Sequence, residues 1–558
     1  MTHSYRVLWL WEGTAFTGIG IGRMATKKTE KLVEKIKRTG ETLEQIADRA
    51  LICFCTLILC GLSYYSMRYT EVLWSESEVP KTIQDSPGRN LLTLVIVLAV
   101  FFLLRIFILK KFSGHTDSVR KAVVAAAVVY VAVVCMVWVS ICHVKPRADG
   151  ESLCYVAKLV MNGRFGTMVP PGYMSYNPHQ FSLLAVIEIL FSLFGIGNYQ
   201  SFQYMNALCM PLLFYSGYRL LMLIYDRLEP VLYYILLFVG CLPLFLYVPY
   251  VYGEITSITF TMVLVWQVVR YCKTGKKTSW IWGTLAIVFA CMMRKNSLIM
   301  LVAAGIVLVI YAIRAAKPQA IAWLLVMVIA IHATDSCIHA YYERVSGKEV
   351  LDGIPYISYV YMGLQDGSRG PGWYNERNYK ELIFYEFDTE KTAAEDVEKV
   401  KERLREMWED KSYGIDFFRR KILSQWNSPA YHSLYETRKF DCEKEELPEL
   451  VRRIYYDDED AVRAFMNRYQ FILYLCATIM TAMSLVDKKR KGLLEVHILL
   501  IAIAGGFLFS IIWEAMSRYV LPYVVYMIPL AAVGMWQLQE RLAVLWERVR
   551  KTMPRHDR

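Results

Sequence analysis

Two carboxylates separated by a single glycine, Asp149 and Glu151, stand in the loop "PRADGESLCYVAKLVMNGRFG" immediately after a strongly apolar stretch. An ionised side chain at the edge of a membrane span is costly, and it is more often kept for chemistry or ion handling than for packing. Such carboxylates can take a proton from a hydroxyl or bind one. Four further clusters carry complementary residue types: Tyr176 and His179 in "YNPHQ", Tyr252 and Glu254 in "VPYVYGEITS", Arg294 and Lys295 in "RKNS", and Glu514, Arg518 and Tyr519 in "WEAMSRY". Guanidinium and ammonium groups hold phosphate by charge-assisted hydrogen bonds, and tyrosine faces suit sugar rings. Each cluster alone has an ordinary explanation, because loop carboxylates are often solvated, aromatic rings anchor membrane interfaces and interfacial cations snorkel.

Whether the clusters can meet depends on the elements between them. Hydrophobic residues make up 55% of the 558, charged residues only 20%, and mean hydropathy is +0.30, a composition foreign to soluble domains. A span needs about 20 apolar residues. Twelve such runs are read at 49–66, 90–109, 121–142, 204–225, 231–249, 254–271, 279–293, 297–314, 319–337, 467–486, 494–512 and 519–536, the run 279–293 being short. The expected fold class is an all-α polytopic membrane protein with about 12 transmembrane helices and an external soluble segment.

Orientation follows from basic residues near span ends, which are retained on the cytoplasmic side. The clusters "RMATKKTEKLVEKIKR", "YCKTGKKTSW", "VDKKRKG" and "RVRKTMPRHDR" are therefore placed inside, with both termini. That parity leaves the apolar stretch 181–197 without a full crossing, and it is expected to be an interfacial or re-entrant helix. The division is a cytoplasmic segment 1–48, a transmembrane core 49–337 with an external loop 143–180, an external mixed segment 338–466, transmembrane helices 467–536 and a basic tail 537–558. All five clusters then share one external face. Arg294 and Lys295 defy the positive-inside rule there, which points either to an anionic partner or to a different topology.

The net charge of +12 resides in juxtamembrane clusters that the same rule requires, so no nucleic-acid partner is implied. Residues 1–23 resemble an over-extended translation start, with Met24 the more ordinary beginning. Most of the thirteen cysteines lie in spans as small apolar residues. Cys142, Cys154, Cys337 and Cys442 are placed to face outside, and a Cys142–Cys154 bridge has no spacing rule behind it. In the segment 338–466, Val397, Val400, Leu404 and Met407 recur at helical spacing and predict an amphipathic helix or helix pair.

The blocks "PRADGESLCYVAKLVMNGRFG", "YNPHQFSLLAVIEILFSLFGIGNYQSFQYMNALCMPLLFYSGYRLL", "VPYVYGEITS", "RKNSLIM" and "WEAMSRYVLPY" resemble, in order, the GT-C glycosyltransferases of the protein O-mannosyltransferase and aminoarabinose-transferase superfamily, in particular the family 39-like bacterial membrane proteins. The resemblance implies a GT-C type fold, a polyprenyl-phosphate-linked sugar donor, an extracytoplasmic acceptor (glycan, lipid or protein), a bacterial plasma membrane and inverting transfer on the external face. It places Asp149 as the catalytic carboxylate, Glu254 as a second acid at the start of a span, and Arg294 and Arg518 at the donor phosphate. The residue types on the shared external face add Glu151 as a catalytic carboxylate, Lys295 at the phosphate, and Tyr176, His179, Tyr252, Glu254, Glu514 and Tyr519 as substrate contacts.

The chain departs from the family pattern in two places. Asp149-Gly150-Glu151 replaces an adjacent Asp-Glu, and "NPHQ" stands where relatives often carry Pro-Pro, which weakens a protein acceptor. No cofactor is implied and no CxxC or HExxH metal signature occurs, although Asp149 and Glu151 sharing a divalent ion stays open. Two alternatives remain: a lipid-linked sugar flippase, or an O-antigen ligase or polymerase whose key residues would be His432 and Arg438 in the later segment.

Overall fold

The computed structural model describes residues 21–73, 78–111, 116–438, 444–486 and 494–552. The chain is an all-α polytopic membrane protein, 81% helical, so nearly every backbone polar group is satisfied within its own helix, as a lipid environment demands. Among the described residues ten helices are long and apolar enough to cross a membrane, or eleven if one bent pair, Gly166–Tyr176 with Pro178–Phe194, is a single span. They are Lys37–Arg68, Pro87–Phe107, Thr116–Cys142, Gln200–Ile224, Glu254–Thr274, Lys295–Ala315, Gln319–Ser346, Glu459–Val486, Leu494–Ile512 and Ser517–Trp546. Two of the expected runs form shorter apolar helices, Leu228–Gly240 and Thr278–Met293.

The run 231–249 is not one helix. It ends at Gly240 and gives way to a short turn of helix, Leu242–Leu246, whose second residue is Pro243, a residue that cannot donate an intrahelical hydrogen bond. The irregular backbone that follows is buried, and its carbonyls need partners. Helix Gln200–Ile224 supplies them: Gln203 Nε2 donates to Val144 O and Pro249 O at 2.7 Å each, and Asn206 Nδ2 donates to Val248 O at 3.1 Å and Tyr250 O at 2.9 Å. These two amides let non-helical chain lie at one end of the bundle and present Tyr252 and Glu254.

The helical stretch Pro178–Phe194 lies at 97° to the stretch Gly166–Tyr176 before it, the bend of a broken span or a re-entrant loop. Helices also outrun the apolar runs that announced them. Gln319–Ser346 continues past 338, and Glu459–Val486 starts before 467, so the segment between these spans is 347–458 rather than 338–466. A helix needs backbone hydrogen bonds, not apolar side chains, to continue past the lipid boundary. For the same reason the tail beyond 537 is helical as far as Thr552, and Ile21–Arg68 is one helix through the expected boundary at 48.

The segment 347–458 contains the expected helix pair, Thr389–Glu409 and Lys411–Trp426. Asp388 and Asp410 start the two helices by accepting from Lys391 N and Tyr413 N, both at 2.9 Å, as N-caps do. The inward face differs from the one expected. Met407 is buried and Val400 packs beside it against Phe417 and Leu364, whereas Val397 and Leu404 are exposed. Asp396 replaces them, buried and hydrogen-bonded to Ser358.

Cys142 and Cys154 are both free and buried, so the bridge between them does not form. Residues 1–20, Cys442 and the basic cluster at 487–493 lie outside the described residues.

Candidate functional site

A cavity of about 650 Å³ opens where the loops at one end of the bundle meet the segment 347–458. Asp149, Glu151, His179, Tyr252, Arg294, Lys295, Glu514, Arg518 and Tyr519 all line it. Residues from five separated stretches of chain therefore converge, and the volume falls in the range typical of small-molecule sites.

Asp149 sits in the first turn of helix Ala148–Met161. Gly150 explains the interruption of the carboxylate pair: a Cβ there would lie 2.2 Å from Val251 O. The glycine lets this helix start press against the 248–253 backbone, which sets Asp149 near Tyr252. Tyr173 donates its hydroxyl to Asp149 Oδ1 at 2.9 Å. Among the described residues no cation pairs with Asp149. Glu151 is exposed at the rim.

The cationic wall is built around one buried carboxylate. Glu254 is 3% exposed and lies 3.2 Å from Arg294 Nη1 and 3.2 Å from Arg518 Nε. Glu254 is thus turned away from the cavity toward the arginines, and its expected place against substrate is not what the structure shows. Arg518 is further held by Glu436 Oε1 at 2.7 Å and by the Tyr250 hydroxyl. Arg294 keeps more of its donor capacity: it stacks over the Tyr252 and Tyr519 rings at 4.8 and 5.5 Å and shares Glu254 with Arg518. Gly253 permits this approach, since a Cβ there would lie 2.2 Å from Met293 O.

Lys295 is already committed. Its Nζ donates to both Asp335 oxygens at 2.6 Å, and Ser182 Oγ donates to Asp335 at 2.9 Å. The structure therefore gives Lys295 an internal counter-ion, which reduces its value for an incoming phosphate. Tyr176 does not reach the cavity. Its ring packs on Tyr379 and Phe387 at 4.9 and 5.0 Å, and its carbonyl accepts from Ile354 N at 3.0 Å, so it anchors the segment 347–458 to the 173–180 turn.

Glu514 lines the cavity, is 5% exposed and has a 3.3 Å hydrogen bond from Tyr519. Burial pushes its carboxyl up to about 7, a shift that Arg518 opposes and the Asp149 charge reinforces. Near neutrality Glu514 can either donate or accept a proton.

Sequence reasoning missed Glu436, Asp335, Tyr379 and Asn378, of which Glu436, Tyr379 and Asn378 line the cavity. Glu436 stands four residues from His432 in "YHSLYETRK", and a lone acid in a polar loop carries no local signal. His432 and Arg438 themselves lie outside the lining. His432 is buried with its ring 6.0 Å from Trp373 and its titration lowered to about 4 by burial. Arg438 donates to Tyr455 O at 2.5 Å and pairs with Glu459. Among the described residues no three His, Cys, Asp or Glu side chains gather as a metal site.

Compared with known proteins, the chain matches over residues 45–538 the family described as conserved hypothetical integral membrane protein. No curated protein and no solved structure matches it. With nearly its whole length matched, the chain belongs to that family of integral membrane proteins.

Proposed function

We propose that this chain is a GT-C type glycosyltransferase that moves a sugar from a polyprenyl-phosphate donor to an extracytoplasmic acceptor hydroxyl, with inversion at the anomeric carbon. One observation carries the reading: a carboxylate without a cation, Asp149, shares a single cavity with a buried arginine pair, Arg294 and Arg518. These are the two charge types that the reaction needs on opposite sides of one bond.

In that reaction the acceptor oxygen forms a bond to the anomeric carbon as the bond from that carbon to the phosphate oxygen breaks. The acceptor proton passes to Asp149, whose orientation the Tyr173 hydroxyl holds. The electron pair stays on the departing lipid phosphate, and Arg294 meets its charge while Arg518 and Glu254 keep Arg294 in place. Tyr252 and Tyr519 offer ring faces between the two sites. The placement of His432 and Arg438 away from the cavity lends the ligase alternative less support.

The test is transfer by the purified protein from radiolabelled polyprenyl-phosphate sugars, scored with mass spectrometry of envelope glycans from a strain lacking the chain. One missing sugar should appear in the strain, and the purified protein should restore it. Arg294→Ala should raise the donor KM by about tenfold, the scale of one lost charge-assisted contact. Full transfer by purified Asp149→Asn would overturn the reading. The external placement is tested separately by a cysteine introduced within 347–458, which should react with an impermeant maleimide in intact cells; labelling only after permeabilisation would put the cavity on the other side.

A further inference from the structure

The turn that carries Glu514 is tied down by a residue the reaction does not touch. Lys421, on helix Lys411–Trp426, is completely buried. Its Nζ donates to Gly363 O at 2.5 Å and to Ile511 O at 2.8 Å. Ile511 lies three residues before Glu514, at the end of helix Ile498–Ile512. The same turn is held on its other side by Ala515 N donating to Gly372 O at 2.7 Å, and by the Trp513 ring stacked on Tyr359 at 5.2 Å.

Carbonyls at a helix end need partners, but they do not need a charge. One turn along, Gln425 Nε2 donates to Ser510 O at 3.1 Å as a neutral amide. A buried ammonium is far more costly than an amide, and among the described residues Lys421 forms no ion pair. Burial brings its titration down to about 7, and the acid that opposes this shift is Glu514. A neutral amide would serve packing as well, so a lysine bonded to both carbonyls at this point calls for a use.

We propose that Lys421 is a positioning residue for Glu514: its Nζ holds the 511–515 turn and presents the Glu514 carboxyl to the cavity, where it binds a hydroxyl of the acceptor. The substrate half of this statement rests on the glycosyl-transfer reading; the link between the two side chains does not. Lys421 touches neither reacting atoms nor substrate, and it acts only through Glu514.

The experiment is a double-mutant cycle on the full-length protein with Lys421→Met, Glu514→Gln and the combination. Each single variant should raise the acceptor KM by about tenfold with kcat little changed, and the double variant should be no worse than Glu514→Gln alone, because one residue acts through the other. A purely structural Lys421 would instead lower kcat through loss of folded protein, and its effect would multiply with that of Glu514→Gln; that result overturns the proposal. If the wild-type protein transfers no sugar, the glycosyltransferase reading fails by itself, and thermal melting of the same four proteins still tests the link. Lys421→Met should then shift Tm less in the Glu514→Gln background than in the wild type, and equal shifts overturn it. Should Lys421→Met fail to insert, Lys421→Gln keeps an N–H donor for the carbonyls while removing the charge, and it is read in the same cycle.

Discussion

Each end of the bundle sets an arginine between two buried glutamates, and the two ends differ in what they leave over. At the end away from the cavity, Arg314 donates to both Glu44 oxygens at 2.8 and 2.9 Å and to Glu495 at 3.0 Å. Glu44 also accepts from Leu494 N at 3.1 Å, and His497 pairs with Asp48 beside it. One void there, lined by His497 and apolar side chains, is about 20 Å³, room for little more than one water, and the larger hollow of about 460 Å³ beside Leu43 is lined by residues of a single helix. At the other end Arg518 and Arg294 share Glu254 at 3.2 Å, Asp149 and Glu514 have no cation partner among the described residues, and about 650 Å³ stands open. A saturated buried network roughly breaks even for stability, whereas charge left over is a net cost. The closed end reads as a lock on the helices, and the open end as a site whose charges answer to something that binds there.

The largest effects should come from breaking each arginine in turn. Arg314→Ala strands both Glu44 and Glu495, whereas Arg518→Ala strands Glu436 and leaves Glu254 with Arg294 alone; each should cost about 3–5 kcal/mol, measured by thermal melting in detergent. Only Arg518→Ala should also impair use of the lipid-phosphate donor in the protein that survives. Equal loss of donor use in both variants would erase the distinction between the two ends.

Asp149→Asn should reduce transfer by about 100-fold or more, the scale of a lost general base, while the protein still inserts and binds donor. Asp48→Asn, a matched change at the closed end, should leave kcat within about twofold because it alters no group that faces substrate. Turnover assays on both variants decide this, and a comparable loss in kcat at Asp48 would count against a division of labour.

The open end should also respond to pH. Glu514 is raised in the folded protein from 4.5 to about 7, so the folded state holds its proton over a window in which the unfolded chain has released it. Stability from this group is complete below the unfolded value and is lost as pH rises from about 4.5 to about 7. Glu514→Gln should flatten that part of a Tm profile recorded from pH 4.5 to 8; an unchanged slope would show that Glu514 is not the group responsible.

The smallest effects separate orientation from packing. Tyr173→Phe removes the hydroxyl that holds Asp149 and should cost about tenfold in kcat, the lower end for a hydrogen bond to a charged group. Tyr176→Phe keeps the ring that packs on Tyr379 and Phe387 and should leave kcat unchanged. A larger loss from Tyr176→Phe would return that residue to the substrate.

By itself the sequence determined that the chain crosses a membrane many times and which residue types gather at the ends of its spans. Apolarity sums along a local window, so the runs at 90–109, 297–314 and 494–512 were legible without any knowledge of neighbours. The clusters around Asp149, Arg294 and Arg518 were legible for a similar reason, because a charge next to an apolar run stands out. Where helices end was less legible, since backbone hydrogen bonding carries Gln319–Ser346 nine residues past the last apolar window at 337. The role of each side chain was not legible at all. Lys295 meets Asp335 forty residues away, Glu254 turns inward to serve two arginines, Glu436 enters from a distant loop, and Tyr176 turns out to packing. Those pairings depend on which side-chain atoms from separate helix ends come within about 3 Å of one another, a product of the closed bundle as a whole, and only the tertiary structure could decide them.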